Sequence, residues 1–338
     1  MFAQAPRFWS VPGSLAGVLL SPLGALIGAV TVHRMGQPGE AIGLPVICIG
    51  NPTVGGTGKT PTAIALLNAL TARGARPFAL LRGHGGREAG PLRVNLDRHG
   101  PADVGDEALL LARHAPTIVS RDRPAGARLA LAEGATHVVM DDGFQNPSLV
   151  KDASLLLVDA AAGIGNGHVL PAGPLRAPLK PQLARADAVL VVGEGIAGLQ
   201  AARDAGAPTI ETGHLVPVAR DAQALKGKRV LAFAGIGRPD KFFATLAAAG
   251  ADVVARQAFP DHHPYGVDEI TALVLKARVA GLTPVTTQKD AVRLSGPTFA
   301  QIRPDIATLG VEMVPAAANL FDDLVALADS RFAARTSG

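Results

Sequence analysis

Residues 44–62 place an apolar run, a glycine-rich turn and the start of a helix in unbroken succession. Leu44 to Ile49 reads as a buried strand, and Thr62 to Thr71 as a helix. Between them stand Gly50-Asn51-Pro52-Thr53-Val54-Gly55-Gly56-Thr57-Gly58-Lys59-Thr60-Pro61. A strand, a glycine loop, Lys-Thr and a helix in that order predict a phosphate cradle in a parallel α/β layer. Backbone N–H groups of Thr53, Val54, Gly55, Gly56, Thr57 and Gly58 would face the phosphates, with Lys59 reaching the outer ones. The Thr60 hydroxyl is a candidate Mg²⁺ ligand, so the loop points to a nucleoside triphosphate. The usual spacing puts a glycine where this chain has Thr53. Gly55, Gly56 and Gly58 still permit positive φ and close backbone approach. Pro61 is tolerable because the first-turn N–H groups of a helix lack intrahelical partners. The competing reading is an ordinary glycine-rich connection between strand and helix.

The same alternation continues along the chain. Strands are expected over Pro77–Leu81, Thr117–Ser120, His137–Met140, Ser154–Val158 and Ala188–Val192, with helices over Gly105–His114 and Arg123–Glu133. Strands alternating with helices imply a mostly parallel sheet covered on both faces. The pattern weakens near Leu215–Gly227, which reads as a domain junction. A second α/β unit follows, with strands at Arg229–Ala234, Asp252–Ala258 and Thr283–Thr287. Helices are expected at Lys241–Ala249, Val267–Ala280 and about Ala317–Ala334. The expected division is 1–40 as a membrane-associating segment, 41–218 as the nucleotide domain and 219–338 as a smaller α/β domain. A length of 338 residues and 48% hydrophobic content support two cores.

From Val11 to Val32 no residue is charged. That run exceeds the length needed to cross a bilayer, but Pro22 disfavours helix at Ser21. The reading is two short pieces, Gly13–Leu20 and Pro22–Met35, flanked by Arg7 and Arg34 and lying at a membrane surface, with a span and a buried core hairpin as the competing readings. A signal peptide is not expected, because export would take the nucleotide loop away from ATP. The net charge of +4 suits an anionic substrate or a membrane surface and is too small to argue for nucleic acid. One Trp and one Tyr leave little for base stacking. The single cysteine, Cys48, excludes a disulfide framework and reads as a small buried residue.

Carboxylates at strand ends are the natural partners of a phosphate loop. Asp141-Asp142 closes the run His137–Met140, at the sheet edge where ligands bind, and can hold Mg²⁺ directly or through water. Asp103, Asp106 and Glu107 precede a helix, a position that also suits plain capping. Phe259-Pro260-Asp261-His262-His263-Pro264-Tyr265 concentrates two imidazoles and a carboxylate, a composition suited to proton handling. Arg176 ends the rigid loop Leu170–Arg176 and is a candidate phosphate partner. Thr287-Gln288-Lys289-Asp290 has the wrong spacing for guanine recognition.

These segments occur together, in this order, in one family. The chain resembles tetraacyldisaccharide 4′-kinases in its uncharged N-terminus, the loop 50–61, Arg82-Gly83-His84-Gly85-Gly86 and Gly105-Asp106-Glu107. The likeness continues through Asp141-Asp142-Gly143-Phe144-Gln145, Leu170–Arg176, Gly235-Ile236-Gly237, Phe259–His263 and Lys289-Asp290-Ala291-Val292. The resemblance implies transfer of the γ-phosphate of ATP to the 4′-hydroxyl of tetraacyldisaccharide 1-phosphate, giving lipid IV-A, the precursor of lipid A. It implies a monotopic enzyme at the cytoplasmic face of the inner membrane, with two α/β domains around a cleft. Lys59 would neutralise the β- and γ-phosphates, and Thr60, Asp141 and Asp142 would serve Mg²⁺, Asp142 also in catalysis. Asp106 matches the base for the sugar hydroxyl, His262 its partner and His263 a weaker candidate. With Asp106 and His262 in different halves, the resemblance implies domain closure. His84-Gly85-Gly86 stands where Tyr-Gly-Arg is common, and Asn146 replaces a frequent His. The alternatives are a membrane-associated switch ATPase and a nucleotide-sensing scaffold, neither of which requires Asp106, His262 or the loop ending at Arg176.

Overall fold

The computed structural model describes residues 6–337, so the first five residues of the expected N-terminal segment lie outside the described residues. Eight strands form in chain order before the junction. They are β1 (Val46–Gly50), β2 (Pro77–Leu81), β3 (Leu92–Arg93), β4 (Thr117–Val119), β5 (His137–Asp141), β6 (Ala153–Asp159), β7 (Ala188–Val192) and β8 (Ile210–Pro217). Five follow: β9 (Arg229–Ala234), β10 (Asp252–Ala258), β11 (Thr283–Thr287), β12 (Ala307–Leu309) and β13 (Val311–Pro315). The large sheet runs β13-β8-β7-β6-β1-β5-β2-β4-β3, and the small one β10-β9-β11-β12. The small sheet is wholly parallel, and the large one is parallel except at its two edges, β3 on β4 and β13 on β8.

Continuous apolar strands follow from burial on both faces. In β1, Ile47 and Ile49 pack under the helices Lys59–Ala72, Asp106–Ala112 and Leu320–Thr336, while Val46 and Cys48 face the opposite layer. Leu66, Leu67 and Leu70 on the first of these helices are fully buried, each worth about 1.5–3 kcal/mol in water exclusion. Cys48 is a free, buried thiol, and desolvation pushes its pKa up to about 11. The small domain has its own core of Phe233, Tyr265, Ile270 and Leu273 on one side of its sheet and Phe242, Phe243 and Leu246 on the other.

Two features depart from the sequence reading. The chain does not stay in the small domain to its end. β13 returns to pair antiparallel with β8, and the helix Leu320–Thr336 covers the core beneath β1 and β6. The small domain is therefore an insertion carried on two adjacent strands, and the packing does not follow a division at 219–338. The strands β8 and β13 escaped notice because both are only partly buried and mix polar and apolar residues: Ile210–Pro217 reads IETGHLVP.

The N-terminal apolar run is one helix, Leu15–Met35, with Pro22 inside it, rather than two pieces. Pro22 cannot donate to the carbonyl of Val18, and the Ser21 hydroxyl donates to it instead at 2.8 Å. That substitute bond removes much of the usual penalty for an interior proline. The helix leans on the loop 166–178 through a glycine seam of Gly17, Gly24 and Gly28. A Cβ on Gly24 would stand 2.6 Å from the Val169 carbonyl oxygen, so nothing larger fits there. The other face exposes Leu15, Val18, Leu19, Leu23, Leu26 and Val30. By length and composition this helix is long and apolar enough to cross a membrane, with mean hydropathy 2.1.

Candidate active site

The loop after β1 turns into the helix Lys59–Ala72 at Gly58, whose φ of +87° is a left-handed conformation that disfavours any side chain. The first helical bond runs from the Thr62 N–H to the Gly58 carbonyl, so the missing N–H of Pro61 costs nothing. Thr53 is extended: it forms a β-bridge with Leu175, and the Val54 N–H donates to the Pro174 carbonyl at 2.8 Å. A β-branched residue suits that backbone, which explains how threonine occupies a position where the general pattern has glycine.

Asp141 ends β5, and its Oδ2 accepts from the Thr60 hydroxyl at 3.1 Å. Its Oδ1 is buried with no hydrogen-bond donor among the described residues. Burial, then the charge of Glu107, push the Asp141 carboxyl up to about 7, although Lys59 opposes them. A cation beside Oδ1 would satisfy that oxygen and restore the charged form. Among the described residues no three His, Cys, Asp or Glu side chains form a metal cluster. A site with few carboxylates is the Mg²⁺ pattern, in which substrate phosphates and water complete the octahedron. Asp142 adopts φ +56°, a strained conformation for a non-glycine residue. Arg176 grips both its oxygens, at 3.0 and 3.1 Å, and Lys59 Nζ stands 3.9 Å away. Burial works against the Asp142 charge, but Lys59 and Arg176 outweigh it and lower the pKa.

A second group forms where the two domains meet. Gly105 precedes the helix Asp106–Ala112 with φ +83°, and a Cβ there would collide with the His84 carbonyl. That turn aims the buried Asp106 at the small domain. His262 Nδ1 lies 3.2 Å from Asp106 Oδ2, and Arg293 donates to the same oxygen through Nε at 2.8 Å and Nη2 at 2.5 Å. Burial opposes the Asp106 charge, but the His262 bond and the Arg293 cation hold its carboxyl well below the usual range. Next to it, Lys289 pairs with Glu107 at 3.2 Å and approaches His262 Nε2 at 3.5 Å. His262 has φ +58°; among the described residues, it and Asp142 are the non-glycine residues with positive φ. His263 points elsewhere: it pairs with Glu269 at 2.8 Å and stacks on Phe259, which is a packing role.

A third contact crosses the cleft. Arg238 of the small domain donates to the Gly56 carbonyl and to Asp159, each at 2.7 Å, and Lys241 reaches Asp159 at 3.2 Å. The structure thus gathers Lys59, Thr60, Asp141 and Asp142 at one sheet edge and Asp106 with His262 beside them. Sequence reasoning missed Arg293, Lys289 and Arg238 as site residues. The only available signal was the run Lys289-Asp290, four residues before Arg293 and on the same short helix, Gln288–Arg293.

The family model for tetraacyldisaccharide-1-P 4′-kinase matches residues 16–328. A tetraacyldisaccharide 4′-kinase of Xanthobacter autotrophicus is 57% identical over 340 residues, covering 98% of this chain and 99% of that protein. One from Azorhizobium caulinodans is 56% identical and covers 99% of this chain and all of that protein. In structure, LpxK of Aquifex aeolicus, crystallised in complex with ATP, superposes with a TM-score of 0.73 at 25% identity, over 93% of this chain and 99% of that one. A match across both domains, with the loop, the acidic pair and the junction in place, shows that the chain belongs to the tetraacyldisaccharide 4′-kinase family.

Proposed function

We propose that this chain uses Mg-ATP to phosphorylate the 4′-hydroxyl of tetraacyldisaccharide 1-phosphate, with the chemistry divided between the two groups of residues. The observation that carries this reading is the phosphate cradle lying beside a pair, the buried Asp106 and the exposed His262, that spans two domains. Phosphoryl transfer needs positioning, charge neutralisation and one group to accept the hydroxyl proton. The cradle supplies the first two. Loop N–H groups from Thr53 to Gly58 and the helix N-terminus hold the phosphates, and Lys59 balances the β- and γ-phosphate charge. Thr60, Asp141 and Asp142 would hold Mg²⁺, which when bound neutralises charge on the phosphate oxygens.

The Asp106–His262 pair supplies the third requirement. The acceptor oxygen forms the new bond to phosphorus as the bond to the β-phosphate oxygen breaks and ADP leaves. The hydroxyl proton passes to the pair, with Asp106 as its first acceptor and His262 as its partner. The product is lipid IV-A. The apolar face of the helix Leu15–Met35 supports association with a membrane, and we assign it to the cytoplasmic face, where ATP is present, as a peripheral anchor.

The test is transfer of labelled γ-phosphate from Mg-ATP to tetraacyldisaccharide 1-phosphate in mixed micelles. A labelled lipid that disappears with Lys59→Ala is the expected result. ATP binding with no labelled lipid would replace this reading with a switch ATPase.

A further inference from the structure

Arg293 has a connectivity that a residue serving only to fill a core does not need. Its side chain is 6% exposed, and every nitrogen of its guanidinium is engaged. Nε and Nη2 form a fork onto Asp106 Oδ2, in the large domain. Nη1 turns the other way, to Asp290 Oδ1 at 2.7 Å and the Gly235 carbonyl at 2.6 Å, both in the small domain. Asp290 is itself immobilised. Its Oδ1 also accepts from the Tyr265 hydroxyl at 2.9 Å and the Gly235 N–H at 3.1 Å, and its Oδ2 from the Thr287 hydroxyl at 2.7 Å. One cation therefore sits between two carboxylates, rigidly mounted on one domain and gripping the other.

The grip is one-sided. Three donors converge on Asp106 Oδ2, from Arg293 twice and His262 once, while Oδ1 accepts none among the described residues. We propose that Arg293 is the positioning residue for Asp106: it clamps one oxygen against the small domain and leaves the other free for the acceptor hydroxyl only when the domains are closed. The proposal rests on Asp106 being the proton acceptor. It assigns to Arg293 the joining of carboxylate geometry to domain position through two buried donors, where the exposed His262 offers a single contact.

The charged neighbours of Asp106 set what removal of Arg293 would do. On its own helix stands Glu107, paired with Lys289. The small domain presents Arg293, Lys289, His262 and Asp290, with Asp261 3.8 Å from His262 Nε2. His84 packs edge-on to His262 from the large domain. Without Arg293, Asp106 and Asp290 lose their shared cation. Asp106 then becomes easier to protonate, and the acid limb of the rate profile moves to higher pH.

The experiment compares Arg293→Met, Arg293→Lys, Asp106→Asn and the double variant Arg293→Met/Asp106→Asn in the full chain. It uses Mg-ATP and tetraacyldisaccharide 1-phosphate in mixed micelles, with kcat, KM and pH profiles measured beside melting curves. Arg293→Met is expected to lower kcat about 100-fold, the scale of a misplaced catalytic group, with the KM for ATP held within about two-fold. Its acid limb shifts upward. Arg293→Lys moves that limb back, because charge returns, and recovers kcat only in part, because an ammonium cannot form the fork. In the Asp106→Asn background, Arg293→Met costs nothing further. A kcat unchanged in Arg293→Met, with Asp106→Asn inactive, overturns the positioning role and leaves the base reading standing. A kcat loss with an unmoved acid limb, tracking the melting temperature, likewise reduces Arg293 to a structural pair. Full transfer by Asp106→Asn would overturn the base reading, and this proposal with it.

Discussion

The phosphate cradle and the Asp106 junction lie side by side, yet they are built in opposite ways. The cradle is made by one domain. Its loop and Lys-Thr pair are consecutive residues, and its acidic pair ends the neighbouring strand β5. The junction is made by two domains and three segments, with Asp106, His262, Lys289 and Arg293 up to 187 positions apart. The cradle is preorganised by backbone, while the junction is held by charged side chains that meet only when the domains do. On the roles proposed above, the comparison teaches that nucleotide binding rests on local structure and proton transfer on tertiary structure.

Four experiments press on that difference. Lys59→Ala strikes the cradle and is expected to have the largest effect, about 10³-fold or more in kcat/KM with ATP affinity lost. Retention of tight ATP binding would show that the cradle does not depend on its lysine. Asp106→Asn strikes the junction and should lower kcat about 10²–10³-fold while ATP still binds. Equal loss of nucleotide binding would erase the division between the two regions.

The third experiment is thermodynamic. The folded-state pKa of Asp106 is depressed, so its pairing stabilises the fold above the ordinary carboxylate pKa of about 3.9. That contribution is lost as pH falls below that value toward the folded pKa. Urea midpoints followed downward from about pH 6 should fall more steeply in the parent than in Asp106→Asn. Parallel curves would mean the junction adds no pH-linked stability. The smallest effect is expected from Arg238→Ala. Arg238 is 42% exposed, and an exposed ion pair is worth about 0.2–1 kcal/mol, so the KM for ATP should rise by less than about five-fold. A larger change would make the cradle as dependent on the small domain as the junction is.

The same contrast explains what the sequence disclosed. The strand β1, its loop and the following helix were legible because apolar burial, glycine and Lys-Thr all fall within one window. Asp106 was reached only through family resemblance, since a carboxylate at a helix start has a commonplace explanation; the loop of His262 stood out by composition, but the resemblance alone paired it with Asp106. Arg293 was legible only as a neighbour of Lys289-Asp290: an arginine at the end of a six-residue helix reads as solvated, and its burial depends on a partner nearly two hundred residues away. The N-terminal helix was read as broken because proline disfavours the helical conformation in the residue before it. Ser21 is helical all the same, and its hydroxyl gives the Val18 carbonyl the bond that Pro22 cannot.

The pairing of β8 with β13 has a consequence for synthesis. On the ribosome, β8 emerges roughly ninety residues before the strand that completes its edge. At about 5–20 residues per second, that edge waits some 5–20 s. Throughout that interval Leu320, Phe321, Leu324 and Val325 are absent, and one face of the large sheet lacks part of its cover. The inserted domain, whose sheet is complete by Leu309, is finished before the domain that began first. A ribosome that stalls in this window leaves a finished small domain hanging from an open, apolar sheet, the kind of nascent chain that chaperones must hold until its last helix arrives.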